Sequence, residues 1–394
     1  RTIGKIFKCF KKNMRKELLF WCPFFGNVGT INATLESSIA LSQSDKFNCK
    51  IINVFGELDN HSSFLKKNRI KEIRLIKNRF ILRLPKKGFF WSRLNFILIF
   101  IFGLLPLFFY LKKNDKDILF VYLLSSLPFF VISFFKLKNK IIFRISGKIK
   151  YSFFRKKIWS LAKKNVYKIL VQTVFSKKKL IKEKIFNKKK IHFLEDPIID
   201  LKKINLLKKK PIEKFFLKKK FFVAVGRLTR QKNFLFLVEF LSNILKNKNY
   251  NLLILGDGEE KQKISSMIKK KKIEDCVFLL GYKKNIFRYI DKSEGLICTS
   301  LWEEPGFIIQ EAAACKKIIL TSNCKSGPAE FLENGLNGFV FKSNNFKSLR
   351  ENFYKMIKDK KKHKKMVNNN FKKINKYSKK YFTKKIIEEL EFMR

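Results

Sequence analysis

The sequence predicts an α/β protein of two doubly wound parallel sheets, and three observations carry that expectation. Short, wholly apolar runs alternate with helix-spaced segments along most of the chain. The runs lack the polar alternation of a half-exposed strand, as strands covered on both faces do. A Lys-dense stretch at 202–220, with Pro211 inside it, reads as a linker and divides the alternation into two series. The 394 residues suffice for two domains with a core each, and 46% apolar residues exclude a disordered chain.

The first series opens with the apolar run Glu17 to Phe25, which reads as a buried strand ending at Gly26-Asn27-Val28-Gly29-Thr30. Ile31 to Ser42 places Ile31, Leu35, Ile39 and Ala40 on one face and reads as a helix. With a further strand at Cys49 to Phe55, this is a βαβ start. Ile118 to Phe135 is broken by Ser125, Ser126 and Pro128 into a strand and a helix. More strands are read at Ile141 to Ile145 and Lys168 to Thr173. Between these lies Leu94 to Leu111, with Asn95 its one strongly polar residue and Lys112 and Lys113 following. Its length and composition fit three readings: a helix dipping into one membrane leaflet, an over-apolar packed helix, and a true span. Gly103 and Pro106 favour a bent, interfacial segment over a straight span.

The second series begins with strand Phe221 to Val225 and a helix from Asn233 to Leu245. Strands at Asn251 to Leu255, Val277 to Leu280, Gly295 to Cys298 and Ile318 to Thr321 follow, with helices around Glu260 to Lys270 and Phe307 to Ala314. The expected division is 1–205 for the first domain, 206–367 for the second, and 368–394 for a charged helical segment packing back towards the first.

A formal net charge of +57 invites a nucleic-acid reading, but Lys is spread along the whole chain beside Phe, Ile and Asn. That mixture fits the codon bias of an AT-rich genome, with attraction to an anionic membrane surface as the second explanation. No zinc finger, RNP motif or stacking platform marks a specific nucleic-acid partner. Seven Cys without a CxxC pair and three scattered His argue against a disulfide framework and a metal site, so no metal or other cofactor is expected. A reducing cytoplasm fits best, and no signal peptide is legible. The oligomeric state is not readable.

Three constellations carry chemistry. Val225-Gly226-Arg227-Leu228-Thr229-Arg230-Gln231-Lys232-Asn233 lies between a strand and a helix, where a parallel sheet places its ligand crevice. Gly226 permits a sharp turn, Arg227 offers a planar fork to a diphosphate, Lys232 adds a point charge, and Asn233 is placed to cap the helix. The second runs from Ser300 to Ala314 and holds Glu303, Glu304 and Glu311 in a chain with only 31 acids against 88 bases. Pro305-Gly306 allows a tight loop, Phe307 and Ile308 open a helix whose N-terminus favours phosphate, and Glu311 lies one turn inside. A carboxylate there can accept two ribose hydroxyls. The third, Ser326-Gly327-Pro328-Ala329-Glu330 with Gly335 to Val340, is a turn, a short helix and a turn into a strand.

Together these motifs resemble the retaining glycosyltransferases of family 4, the glycosyl transferases of group 1. They are Val-Gly-Arg-Leu with Gln231-Lys232, Leu-Gly-Asp257-Gly-Glu, Ser-x-x-Glu303-x7-Glu311 and Gly-Pro-x-Glu330, dense over Phe221 to Phe341. The resemblance implies the GT-B fold, two Rossmann-like doubly wound domains facing across a cleft. It implies that Arg227 and Lys232 hold the donor diphosphate, that Glu303 contacts the transferred sugar, and that Glu311 binds the ribose. Backbone N–H groups from Gly306 through Phe307 to Ile308 would meet the phosphates, and the turn at Gly26 and Gly29 would close over the donor. The catalytic set so implied is Glu303, Arg227 and Lys232, with no metal. Many relatives carry a His in the first domain; the matching stretch here, Phe143 to Gly147, has none.

The expected function is retaining transfer of a hexosyl or N-acetylhexosaminyl group from a nucleotide sugar, UDP favoured, to a lipid-linked glycan acceptor. Cell-surface polysaccharide or lipopolysaccharide synthesis at the inner face of the plasma membrane is the setting. A soluble or protein acceptor is the alternative within the class. The rival outside it is a non-catalytic membrane or nucleic-acid binding protein on the same scaffold, against which Glu303 and Glu311 speak.

Overall fold

The computed structural model describes residues 15–24, 29–77, 89–122, 126–145, 149, 151–324 and 326–391, side chains of 89–93 excepted. Gly26 therefore lies outside the described residues, as do the expected strand end at Phe25 and the residues Ser146 and Gly147. The chain forms two compact units: residues 1–172, 176–198 and 379–394 make the first, residues 173–175 and 199–378 the second. The main division thus falls at 198/199 rather than at 205/206.

In unit 1 the order is β1 (Lys16–Trp21), α1 (Gly29–Ser42), β2 (Phe47–Asn53), α2 (Ser62–Lys67), β3 (Lys71–Arg74) and α3 (Phe89–Lys113). It continues with β4 (Ile118–Tyr122), α4 (Leu127–Phe134), β5 (Ile141–Ile145), α5 (Phe153–Ala162), β6 (Val166–Val171), α6 (Val174–Lys182) and β7 (Ile191–Phe193). The sheet runs β3-β2-β1-β4-β5-β6-β7, every pairing parallel. Right-handed crossovers on this order put α1 and α2 on one face and α3, α4 and α5 on the other. The contacts agree, since α3 packs beside α4 and α4 beside α5. Their buried residues, such as Ile99, Phe129 and Trp159, join the sheet's Val121, Phe143 and Ile169 in one core.

Helix α3 runs through Gly103 and Pro106 as one element. Its buried residues include Asn95, Ile99, Leu107 and Leu111, a row of i, i+4 spacing completed by Gly103. A Cβ at Gly103 would approach Leu127 Cδ2 to 3.2 Å, so this helix lies close against α4. The opposite row, Ile97, Ile101, Leu105 and Phe109, is exposed.

Unit 2 begins with α7 (Leu201–Lys208) and α8 (Lys214–Leu217), which replace the linker expected over 202–220. The Lys density misleads because those side chains face solvent. Asp200 caps α7 by accepting the Lys203 N–H at 3.0 Å, and Ile204 and Phe216 are buried. Then come β8 (Phe221–Val225), α9 (Phe234–Asn247), β9 (Asn251–Leu255), α10 (Lys261–Lys270), β10 (Val277–Gly281), α11 (Phe287–Lys292) and β11 (Gly295–Cys298). The series closes with α12 (Phe307–Ala314), β12 (Ile318–Ser322), α13 (Pro328–Phe331), β13 (Phe339–Phe341), α14 (Phe346–Lys358) and α15 (Lys360–Lys373). This parallel sheet runs β10-β9-β8-β11-β12-β13.

A last helix, α16 (Lys379–Glu391), belongs to unit 1. It lays Phe382, Ile386 and Leu390 against that unit, and Thr383 donates to the Ala40 carbonyl at 2.8 Å. Lys379 pairs with Glu36 at 2.8 Å, and Glu389 with Lys168 at 2.6 Å. Strand β6 begins at Val166, two residues before the expected Lys168, because the buried Val166 already pairs with Ile141 of β5.

Candidate functional site

Strand order in unit 2 reverses between β8 and β11, so the loops leaving those two strands diverge and leave a crevice at the carboxyl edge. The β8 loop carries Gly226 to Asn233; the β11 loop carries Thr299 to Gly306 and feeds α12.

Backbone bonds join the two loops. The Leu301 N–H donates to the Gln231 carbonyl at 2.8 Å, and the Gln231 side-chain amide donates to the Trp302 carbonyl at 2.8 Å. Thr299 Oγ1 donates to the Lys232 carbonyl at 2.9 Å. Lys232 is thereby fixed at its backbone, and its side chain lies over Gly226, where an added Cβ would meet Lys232 Cε at 2.9 Å. A side chain at 226 would push the ammonium out of place.

Lys232 Nζ donates to Glu303 Oε1 in a closely held ion pair, the two side chains 16% and 7% exposed. Ser300 Oγ donates to the same oxygen at 2.6 Å. Both side-chain bonds therefore use Oε1, which leaves Oε2 for another donor. Burial works against the Lys232 ammonium, but the Glu303 carboxylate outweighs it and raises the pKa above the ordinary lysine value. An ammonium has three donors, so Lys232 can keep Glu303 and still present N–H groups outward. Arg227 is exposed, close enough to Lys232 to repel it, and has no carboxylate partner among the described residues.

Helix α12 starts from Gly306 at φ +85°, a left-handed residue. A Cβ there would meet the Glu303 side chain at 3.2 Å. Glycine therefore both allows the turn and keeps Glu303 in place. The first-turn N–H groups of Phe307 and Ile308 stand at a helix N-terminus, which favours anions. Glu311 lies one turn further in and is partly exposed. The protein around it pushes its carboxyl up to about 7, against the pull of Lys232.

Of the residues the sequence singles out, Gly226, Arg227, Lys232, Glu303, Gly306, Phe307, Ile308 and Glu311 all lie on this edge of unit 2. Gly29 is in unit 1, where it opens α1. Asn233 stands at the start of α9 but does not cap it. Its backbone is left-handed at φ 57°, and its side chain donates to Asn344 Oδ1 at 2.8 Å instead. Glu304 serves the loop, accepting from Thr173 Oγ1 at 2.6 Å and Ser326 Oγ at 2.8 Å. Sequence reasoning gave no role to Gln231, Thr299 or Ser300, which hold the two loops and Glu303 together. The consecutive hydroxyls after the apolar β11 were the available signal.

Two cations, a helix N-terminus and two carboxylates stand on one edge, chemistry that can meet an anionic ligand bearing hydroxyl groups. Residues 207–373 match the family of glycosyl transferases group 1, and this part of the chain is a domain of that family. The whole chain has the GT-B fold. HepE of Anabaena, solved in complex with UDP and glucose, superposes with a TM-score of 0.72 over 96% of this chain and all of that one, at 18% identity. An uncharacterised glycosyltransferase of Methanocaldococcus jannaschii is 35% identical over 185 residues, 45% of each chain. The N-acetylgalactosamine-N,N'-diacetylbacillosaminyl-diphospho-undecaprenol 4-alpha-N-acetylgalactosaminyltransferase of Campylobacter jejuni is 30% identical over 161 residues, 41% of this chain and 43% of that one. In sequence, the chain spans less than half the length of these two relatives.

Proposed function

We propose that the chain is a retaining glycosyltransferase that moves a hexosyl or N-acetylhexosaminyl group from a UDP-sugar to a lipid-linked glycan acceptor. The observation that carries the enzyme reading is the closely held Lys232–Glu303 pair beside the exposed Arg227 at the switch point of a glycosyl transferases group 1 domain. Departure of the nucleoside diphosphate builds negative charge on its β-phosphate. Lys232, Arg227 and the N–H groups of Phe307 and Ile308 stabilise that charge without reorganising. Glu303, anchored through Oε1, turns Oε2 to a hydroxyl of the transferred sugar, and Glu311 accepts the ribose hydroxyls. These cations do the work a metal would otherwise do, so turnover proceeds without one. No general base is assigned.

UDP is supported by the complex of HepE, and a lipid-linked acceptor by the undecaprenol-linked substrate in the name of the Campylobacter relative. The exposed apolar row of α3 supports a place at the inner face of the plasma membrane, in cell-surface polysaccharide or lipopolysaccharide synthesis. The test is a panel of nucleotide sugars with purified protein in EDTA, following nucleoside diphosphate release and the anomeric configuration of the product. Release from a UDP-sugar with retention is the expected result; no turnover of any donor, or loss of turnover in EDTA, overturns the corresponding part.

A further inference from the structure

The exposed apolar row of α3 does not stand alone. Helices α3, α4 and α5 lie side by side on one face of the unit 1 sheet, and each exposes large apolar side chains. Ile101 is 59% exposed, Leu105 56%, Phe134 of α4 66%, and Phe153 and Phe154 of α5 80% and 75%. Phe100 of α3 packs on Phe130 of α4 at 5.5 Å and bridges those two helices, and within α4 Phe130 stacks on the exposed Phe134 at 5.2 Å. We infer that this three-helix face docks unit 1 flat on an anionic lipid surface, with Phe153 and Phe154 inserting alongside α3. The inference rests on the membrane-peripheral reading above and specifies which surface carries it.

Three observations select that occupant. First, α3 is packed into unit 1, with Ile99, Leu107 and Leu111 built into its core. It offers a bilayer one side only, as an interfacial helix does. Second, lysines mark the C-terminal ends of all three helices: Lys112 and Lys113 in the last turn of α3, Lys136 and Lys138 just after α4, Lys163 and Lys164 just after α5. This basic border matches acidic headgroups, while long lysine stems reach from an apolar face to a charged layer. Third, the same border opposes a second copy docked with its helices parallel to these, since that isologous contact would bring like charges together. The exposed row of α3 from Ile97 to Phe109 spans about 18 Å at the usual helical rise, long enough to lie in the interface.

The full chain is sedimented with phosphatidylglycerol–phosphatidylcholine vesicles and with phosphatidylcholine vesicles. Two double variants are compared, Phe153→Ser/Phe154→Ser and Ile101→Ser/Leu105→Ser. All four positions are exposed, and thermal midpoints check that the variants fold. Wild type should partition to the anionic vesicles, and each variant should lose roughly tenfold or more of that partitioning. If either variant binds like wild type, the three-helix face is wrong while the membrane-peripheral reading stands. If wild type binds neither vesicle, both fall. If wild type is instead a dimer that Ile101→Ser/Leu105→Ser dissociates, the occupant is a second copy and the lipid assignment is overturned.

Discussion

The two units share one plan and use the carboxyl edge of the sheet differently. In unit 1, the polar groups at the ends of β4, β5 and β6 are sealed: Tyr122 and Arg144 are fully buried and Gln172 nearly so. Arg144 Nε donates to Asp196 Oδ1 at 2.9 Å, and Gln172 donates to the other carboxylate oxygen. In unit 2 the corresponding edge carries the exposed Arg227, the half-buried Lys232 and the partly exposed Glu311. Similar charges therefore serve different ends. Those of unit 1 pin the segment that follows β7, and those of unit 2 are left open to solvent, where the proposed donor would meet them.

The strongest way to break this contrast is to remove the cations of unit 2. Lys232→Ala and Arg227→Ala should each lower donor turnover by about 10²–10³-fold, measured as nucleoside diphosphate release. Only Lys232→Ala should also lower the thermal midpoint, because it leaves Glu303 buried without its counter-charge. Near wild-type turnover in both would remove the site assignment. In unit 1 the opposite pattern is expected. Arg144→Met should cost about 3–5 kcal/mol of stability by denaturant unfolding, and Arg144→Met/Asp196→Leu should recover part of it. If the single variant unfolds like wild type, the pair is not the pin described here.

A smaller effect sharpens the contrast at Glu311. Its carboxyl titrates at about 7 in the folded chain against 4.5 ordinarily, so between those values the folded chain keeps a proton that the unfolded chain has lost. Stability from this group is present at low pH and falls as pH rises through that window. Wild type should therefore lose stability relative to Glu311→Gln from pH 5 to pH 7.5. In the proposed role the ionised carboxylate accepts the ribose hydroxyls, so the donor KM should fall as pH rises through about 7 in wild type and stay flat in the variant. A KM limb that persists in Glu311→Gln would assign the titration to another group.

Much of this contrast was legible before the coordinates, and the parts that were not share a cause. Strands such as Phe221–Val225 and Ile141–Ile145 announce themselves because a strand buried on both faces must be apolar throughout. Glu303 and Glu311 stand out because acids are scarce here. The partner of Arg144 was hidden, since Asp196 lies 52 residues away and no local pattern links them. Helices α7 and α8 were hidden by the same lysines that make the chain basic, their few buried anchors lost among solvent-facing charge. For the exposed apolar residues, composition supplies Phe and Ile everywhere, yet α14 of unit 2 buries Leu349, Phe353 and Met356 along one face. The bias that supplies apolar residues does not dictate where they surface; only the packing separates the two.

The return of α16 to unit 1 has a consequence for the order in which the protein is made. Unit 2 is, in effect, inserted within unit 1: residues 199–378 emerge from the ribosome before Phe382, Ile386 and Leu390 exist to cover α1. Unit 2 can therefore complete its core first, while unit 1 waits with an uncovered flank. Ending synthesis at residue 378 would leave that flank open permanently. Such a product should be captured by chaperones or cleaved within unit 1, with residues 199–378 surviving as the resistant fragment.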